Sequence, residues 1–271
     1  MIKTRSPLRT FFICAVAGTA VVCVSAAAGP GHSQPLREGP AGAPARLADG
    51  RVARPHRVDA TAKTRCPRAS SGPRFYAPGR RRTVALSFDD GPGRSTARIL
   101  SILRKYRAPA TFFNIGENEA VRRKLVLEEY KDGFALGNHT WNHPDMTRLS
   151  ASEQAAEMDR TIAETRSIAG VAPCAYRPPY GTYNATTLRL AQHRRMAVWL
   201  WSVDTEDWKA DGSGSSFWVH RIIRIADAEG RVLSHPVVLM HNQPDGNPAT
   251  VSALPTIIHF FRVHGYHFVK L

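Results

Sequence analysis

From Thr83 to the C-terminus, short apolar runs alternate with longer amphipathic stretches, and that alternation leaves few architectures open. The strand candidates are 83–88, 110–115, 134–138, 174–177, 197–203, 237–240 and 266–270. Their length and apolar content suit strands buried on both faces, the pattern of a parallel sheet. Between them lie helix candidates at 95–107, 117–131, 150–168, 184–195, 215–228 and 249–264. The first sets Ile99, Leu103 and Tyr106 on one face, and Ser150 with Glu153 three residues on is a capping-box start. Seven strands alternating with helices argue an α/β chain whose parallel sheet is closed or nearly closed. No Gly-x-Gly-x-x-Gly follows any of these strands, which disfavours a dinucleotide-binding sheet.

The strand ends carry the chemistry. Asp89 and Asp90 close the first run and Gly91-Pro92 follows; His139 comes after the third, Arg177 ends the fourth, Asp204 follows the fifth and His241 the sixth. Active sites of parallel β/α barrels gather at the carboxyl ends of the strands. A carboxylate with two neutral imidazoles, His139 and His143, is a donor set for a borderline divalent ion such as zinc, with one coordination position open. The second aspartate stands beside that set, ready to take a proton from water. The pattern points to a metal-dependent hydrolase. Taken singly, each signal is ordinary. A chain with 11 histidines produces a His-x-x-x-His spacing by accident, and Asp-Asp-Gly-Pro serves turns as readily as catalysis. Arg177-Pro178-Pro179-Tyr180 passes as a rigid loop, and Asp204-x-x-Asp207-Trp208 as a helix start.

The chain of 271 residues begins with Lys3, Arg5 and Arg9, then an apolar run of 14 from Phe11 to Val24, then Ala26-Ala27-Ala28. That is the layout of a secretory signal peptide over residues 1–28, and it is shorter than the roughly 18 residues a spanning helix needs. Residues 29–82 are rich in Pro, Gly, Ala and Arg, and read as a mostly flexible basic linker before a catalytic domain at 83–271. Charge is uneven: residues 1–82 hold 15 Lys/Arg against 3 Asp/Glu, and residues 83–271 hold 22 against 19. The basic segment attracts polyanions, and in a walled cell anionic wall polymers are nearer partners than nucleic acid, for which no reading motif is present. An oxidising exterior favours pairing Cys66 with Cys174, two buried free thiols being the alternative.

In their joint order these segments resemble the polysaccharide deacetylases of carbohydrate esterase family 4, the NodB-homology domain. Ser87-Phe88-Asp89-Asp90-Gly91-Pro92 resembles the first family motif, with Ser where Thr is usual, and His139-Thr140-Trp141-Asn142-His143-Pro144 the second. Arg177-Pro178-Pro179-Tyr180, Asp204-Thr205-Glu206-Asp207-Trp208 and Leu239-Met240-His241 are similar to the third, fourth and fifth. The resemblance covers about residues 80–271. It implies a distorted (β/α)7 barrel and hydrolytic removal of acetyl groups from a polysaccharide. It implies Asp90, His139 and His143 as metal ligands, for zinc first and cobalt, nickel or manganese otherwise, with Asp89 as general base and Arg177 orienting it. It further implies the Tyr180 backbone N–H as an oxyanion donor, His241 as general acid with Asp204 as the carboxylate that raises its pKa, and Trp208 lining an acetate pocket. Asp207 is kept as an outer candidate only, and the loop at 209–216 borders the expected groove.

The expected substrate is an N-acetylglucosamine-containing polymer, peptidoglycan or chitin-like, met outside the cell. An acetylxylan-type O-acetyl esterase uses the same machinery, and a non-catalytic glycan-binding protein would keep the fold without the complete residue set. A hydrolase of small cyclic amides on the same barrel is disfavoured by export.

Overall fold

The computed structural model describes Cys66, Ala69 and residues 71–243 and 245–271. The expected signal peptide and most of the 29–82 segment lie outside the described residues. Among the described residues, eight parallel strands form the sheet: β1 (Thr83–Asp89), β2 (Ala110–Asn114), β3 (Ala135–Asn138), β4 (Ala175–Tyr176), β5 (Ala197–Val198), β6 (Val203–Asp204), β7 (Val237–His241) and β8 (His267–Phe268). Their order is β5-β4-β3-β2-β1-β7-β6, with β8 pairing the first two residues of β1. Among the described residues, seven α-helices accompany them: α1 (Thr96–Tyr106), α2 (Gly116–Val121), α3 (Arg123–Lys131), α4 (Ala151–Ala169), α5 (Ala185–His193), α6 (Ser216–Gly230) and α7 (Pro248–Val263).

Each face of β1 has its own task. Val84, Leu86 and Phe88 pack outward on Ile99, Leu103, Leu254 and Ile257 of the flanking helices, and Phe88 stacks on Phe112 with ring centroids 5.2 Å apart. The alternate residues Ser87 and Asp89 point the other way, into the barrel, where both meet the buried Arg177 guanidinium. Period-two alternation therefore sends grease to the helices and polarity to the interior. The expected capping box is present: Ser150 Oγ accepts from the Glu153 N–H at 3.3 Å, and the Glu153 carboxylate from the Ser150 N–H at 2.7 Å.

Two expectations are corrected. The run 197–203 is not one strand. Its start pairs with β4 and its end, Val203, pairs with β7, so consecutive β5 and β6 lie at opposite edges of the sheet. Trp199 to Ser202 cross the gap between the edges, and Arg177 Nε and Nη2 donate to the carbonyls of Trp199 and Leu200 at 3.2 and 3.1 Å. A side chain thus supplies donors where a closed barrel would have a neighbouring strand, which is the distortion of the barrel. The helix expected at 117–131 is two helices broken at Arg122 (φ −122°, ψ 41°) with no Gly or Pro to announce it.

The chain before β1 is tied to the barrel. Arg74 N–H donates to the Val198 carbonyl at 2.9 Å, Ala77 N–H to that of His235 at 2.8 Å, and Cys66 is disulfide-bonded to Cys174 at the entry to β4. At the other end of β1 the loop packs backbone to backbone on the loop after β7. A Cβ on Gly93 would stand 1.8 Å from the Gln243 carbonyl oxygen. Gly93→Ala is therefore expected to destabilise the fold by about 2–3 kcal/mol in denaturant unfolding, since backbone cannot rotate away as a side chain can. An unchanged midpoint would show that the two loops are not in this register.

Candidate active site

Adjacent side chains of a strand point to opposite faces, so two aspartates in sequence do not ordinarily share a pocket. Asp89 ends β1 and is 3% exposed; Asp90 then enters the left-handed region at φ 69°, which turns its carboxylate back toward the same cavity. Thr140 (φ 68°), His143 (φ 64°), Tyr180 (φ 58°) and Glu206 (φ 55°) do the same in the other motif loops. Backbone strain is concentrated where side chains must converge.

The two imidazoles arrive on a loop, not a helix. His139 leaves β3 with its N–H on the Asn114 carbonyl, and the Trp141 and Asn142 N–H groups both donate to Glu157 of α4, at 2.9 and 3.1 Å. Asp90 Oδ1 stands 3.4 Å from both His139 Nε2 and His143 Nε2. His139 Nδ1 is 2.7 Å from the Arg177 carbonyl, so Nδ1 carries the hydrogen and Nε2 turns its lone pair to the centre. Burial, with His139 beside it, holds the His143 imidazole down at about 4, against the pull of Asp90 and Asp89; it is neutral at pH 7. Burial pushes Asp90 up, but the neighbouring imidazoles, His139 first and then His241 and His143, outweigh it and bring the carboxylate to about 2. Asp90 Oδ1 is buried with no hydrogen-bond donor. An ionised, donorless carboxylate oxygen facing the Nε2 atoms of two imidazoles is a donor set that fits a divalent cation.

Asp89 is held apart from that set. Its Oδ1 accepts from Arg177 Nη1 at 2.7 Å, and Oδ2 lies 3.7 Å from His139 Nε2. Arg177 is wholly buried; burial lowers its pKa and Asp89 offsets this. Ser87, the departure from the usual Thr, accepts from Arg177 Nη1 at 2.9 Å and donates to the Val238 carbonyl at 2.8 Å. The hydroxyl is what the position uses.

His241 stands across from Asp89 in the β1–β7 register. Its carboxylate neighbour is Asp207, which corrects the expectation of Asp204. Asp207 Oδ1 is 2.7 Å from His241 Nδ1, and Oδ2 accepts from the His241 N–H at 2.8 Å, from Asn247 Nδ2 at 3.3 Å and from the Thr250 hydroxyl. Asp204 instead accepts from the Glu206 N–H at 2.9 Å, closing the left-handed turn that carries Asp207 beneath the imidazole. Burial pulls the His241 pKa down, but the charge and hydrogen bond of Asp207, with Asp89 and Asp90 behind, raise it to about 9. The Asp-x-x-Asp spacing alone offers two carboxylates; only the turn at Glu206 selects between them.

Asp89, Asp90, His139, His143 and His241 line one cavity of about 420 Å³, with Asp204, Tyr180 and Trp208 on its wall. Tyr180 and Trp208 are 65% and 50% exposed, and the Tyr180 ring lies 4.6 Å from His143. Unused carboxylate, protonated imidazole and cation site face one another across it, an arrangement suited to adding water to an acyl carbon and releasing a basic leaving group.

The polysaccharide deacetylase family profile matches residues 77–199. A peptidoglycan-N-acetylglucosamine deacetylase of Bacillus cereus is 33% identical over 73% of this chain and 70% of its own length. The peptidoglycan-N-acetylmuramic acid deacetylase PdaC of Bacillus subtilis is 36% identical over 56% of this chain, but only 35% of its own length. Among solved structures, a peptidoglycan N-acetylglucosamine deacetylase in complex with an N-hydroxybenzamide superposes with a TM-score of 0.68 at 33% identity, covering 73% of this chain and 90% of that one.

Proposed function

Because the chain belongs to the polysaccharide deacetylases of carbohydrate esterase family 4, we propose that it is an exported, metal-dependent enzyme that removes acetyl groups from N-acetylglucosamine residues of peptidoglycan or a chitin-like polymer. The observation that carries this reading is the division of labour between neighbouring carboxylates: Asp90 faces the imidazoles while Asp89 is turned aside by Arg177. The basic start and apolar run of residues 1–28 support export.

Asp90, His139 and His143 would hold the ion, zinc first by donor type, with cobalt, nickel or manganese accepting the same set. When bound, it would acidify a water and polarise the acetyl carbonyl. Asp89 takes the proton of the attacking water on Oδ2, because Arg177 occupies Oδ1. The water oxygen forms a bond to the acyl carbon, and the Tyr180 backbone N–H is the family's donor to the resulting oxyanion. His241 then gives its proton from Nε2, its Nδ1 being committed to Asp207, and the C–N bond breaks to leave acetate and a free amine. Trp208 provides an apolar wall for the methyl group.

Acetate release from purified peptidoglycan, chitooligomers and acetylxylan tests the reading. Release from the first two is expected, with exhaustive chelation stopping it and added zinc restoring it. Preference for acetylxylan would reassign the leaving group to an alkoxide, and turnover that survives chelation would overturn the metal-dependent mechanism.

A further inference from the structure

The five residues from the end of β2 into the first turn of α2, 114–118, fasten both ligand-bearing loops. The Ile115 N–H donates to the Gly91 carbonyl and Asn118 Nδ2 to the Asp90 carbonyl, at 3.0 and 2.8 Å. The Gly116 and Glu117 N–H groups donate to the carbonyls of Thr140 and Trp141, each at 3.0 Å, and the Asn114 carbonyl accepts from the His139 N–H. Residues 114–118 thus set the distance between Asp90 and the two imidazoles.

Behind this latch is a wholly buried polar cluster that the proposed reaction does not use. Asn114 Nδ2 donates to Glu129 Oε2 at 2.7 Å, and Glu119 Oε2 lies 2.7 Å from Thr165 Oγ1. Asn114, Glu119, Glu129 and Thr165 are all 0% exposed. Asn114 Oδ1, Glu119 Oε1 and Glu129 Oε1 have no donor. Thr165 Oγ1 is also 2.9 Å from the Thr161 carbonyl. A hydroxyl has one hydrogen, so it cannot donate to both that carbonyl and Glu119. If Glu119 carries a proton the conflict ends, because the acid donates to Thr165 or to Asn114 and the hydroxyl serves Thr161. Two buried carboxylates with too few donors would otherwise be a severe desolvation penalty.

We propose that Glu119 is a positioning residue held as a neutral carboxylic acid, whose proton completes the Asn114–Glu129–Thr165 cluster and so holds the 114–118 latch on both ligand-bearing loops. The charged groups facing it are Glu129 and Arg123 from α3 and Glu164 from α4; Arg123 is engaged with Glu164 at the surface and does not neutralise the buried pair. Burial raises Glu119 to about 8, the contact with the Thr165 hydroxyl opposing it. Burial likewise lifts Glu129 well above the carboxylate range. The sign follows. A folded-state pKa above the unfolded value of 4.5 gives stability that is complete below pH 4.5 and is lost as pH rises to about 8.

The test compares wild type with Glu119→Gln, which keeps the shape and a permanent donor. In the metal-free protein, the melting temperature of wild type is expected to fall relative to the variant between pH 5 and 8, and to run parallel above. Zinc affinity by chelator competition is expected to drop about tenfold in wild type relative to the variant between pH 7 and 9.5, as the cluster ionises and the latch loosens. Parallel melting curves and equal zinc affinities across the range would overturn the proposal. Should the variant not fold, ¹³C titration of the assigned Glu119 Cδ resonance in wild type decides: a carboxyl still protonated at pH 7 is expected, and an ionised Glu119 overturns the proposal whatever the state of Glu129. The zinc arm rests on the ligand set assigned above. Absence of zinc binding in both proteins would remove that assignment and with it the latch's purpose, whereas the metal-free melting arm tests the proton independently.

Discussion

Asp207→Asn is expected to move the alkaline limit of acetate release from near pH 9 toward pH 6.5. In the proposed mechanism only the protonated imidazole of His241 delivers a proton to the leaving nitrogen, so turnover is expected to persist up to its pKa and to fail above it. Burial, the largest influence on that imidazole, works against protonation; the Asp207 carboxylate reverses it and brings the value to about 9. An amide at 207 keeps the size but carries no charge, so the largest influence raising the imidazole is gone and its pKa falls toward the ordinary 6.5, Asp89 and Asp90 still opposing burial. At pH 8 a group titrating at 6.5 is protonated in only about one molecule in thirty, which predicts a loss of up to about 30-fold in kcat. Stability moves with it. The raised folded-state pKa supplies stability that is whole below pH 6.5 and disappears as pH climbs to 9, and the variant lacks it. Asp204→Asn is the control, since Asp204 bonds the Glu206 N–H and not the imidazole. A pH–rate profile whose alkaline limb moves in Asp204→Asn, and stays in Asp207→Asn, would reverse the pairing.

That pairing marks where sequence reading stops. Alternation of apolar runs was enough to announce a parallel α/β sheet, because strands buried on both faces and helices with one apolar stripe leave period and length as visible traces. The placing of Asp89, Asp90, His139, Arg177 and His241 at strand ends was visible for the same reason. What left no trace was anything decided by a single backbone angle. Glu206 at φ 55° chooses Asp207 over Asp204, and nothing in Thr-Glu announces a left-handed residue. The split of 197–203 was equally hidden, since Val-Trp-Leu-Trp reads as one continuous strand while its two ends belong to opposite edges of the sheet. Glu119 and Glu129 were hidden for another reason: glutamate on a helix is ordinarily solvated, and only tertiary packing shows that these two are enclosed.

Asp89→Asn separates the two tasks of the first motif, and its effects are expected to be large in both. As the proposed general base, Asp89 is expected to contribute about 10²–10⁴-fold, since the amide cannot take the proton. Zinc is expected to remain bound, because Asp90, His139 and His143 are untouched. The fold suffers as well. Arg177 is fully buried, and Asp89, at 2.7 Å, is its ion-pair partner. With the carboxylate gone the guanidinium keeps Ser87 Oγ and the Trp199 and Leu200 carbonyls, all neutral. An unpaired buried charge of this kind destabilises by about 3–5 kcal/mol, on the order of 10 °C in a domain of this size. The two effects come apart in the double variant Asp89→Asn/Arg177→Met. Replacing the stranded cation with an apolar side chain of similar length is expected to recover much of the melting temperature of the metal-free protein while acetate release stays at the level of the single variant. If the second substitution restored turnover, Asp89 would be a partner for Arg177 and not the base. If Asp89→Asn lost zinc, the division between the neighbouring aspartates would have to be redrawn, with both carboxylates counted as ligands.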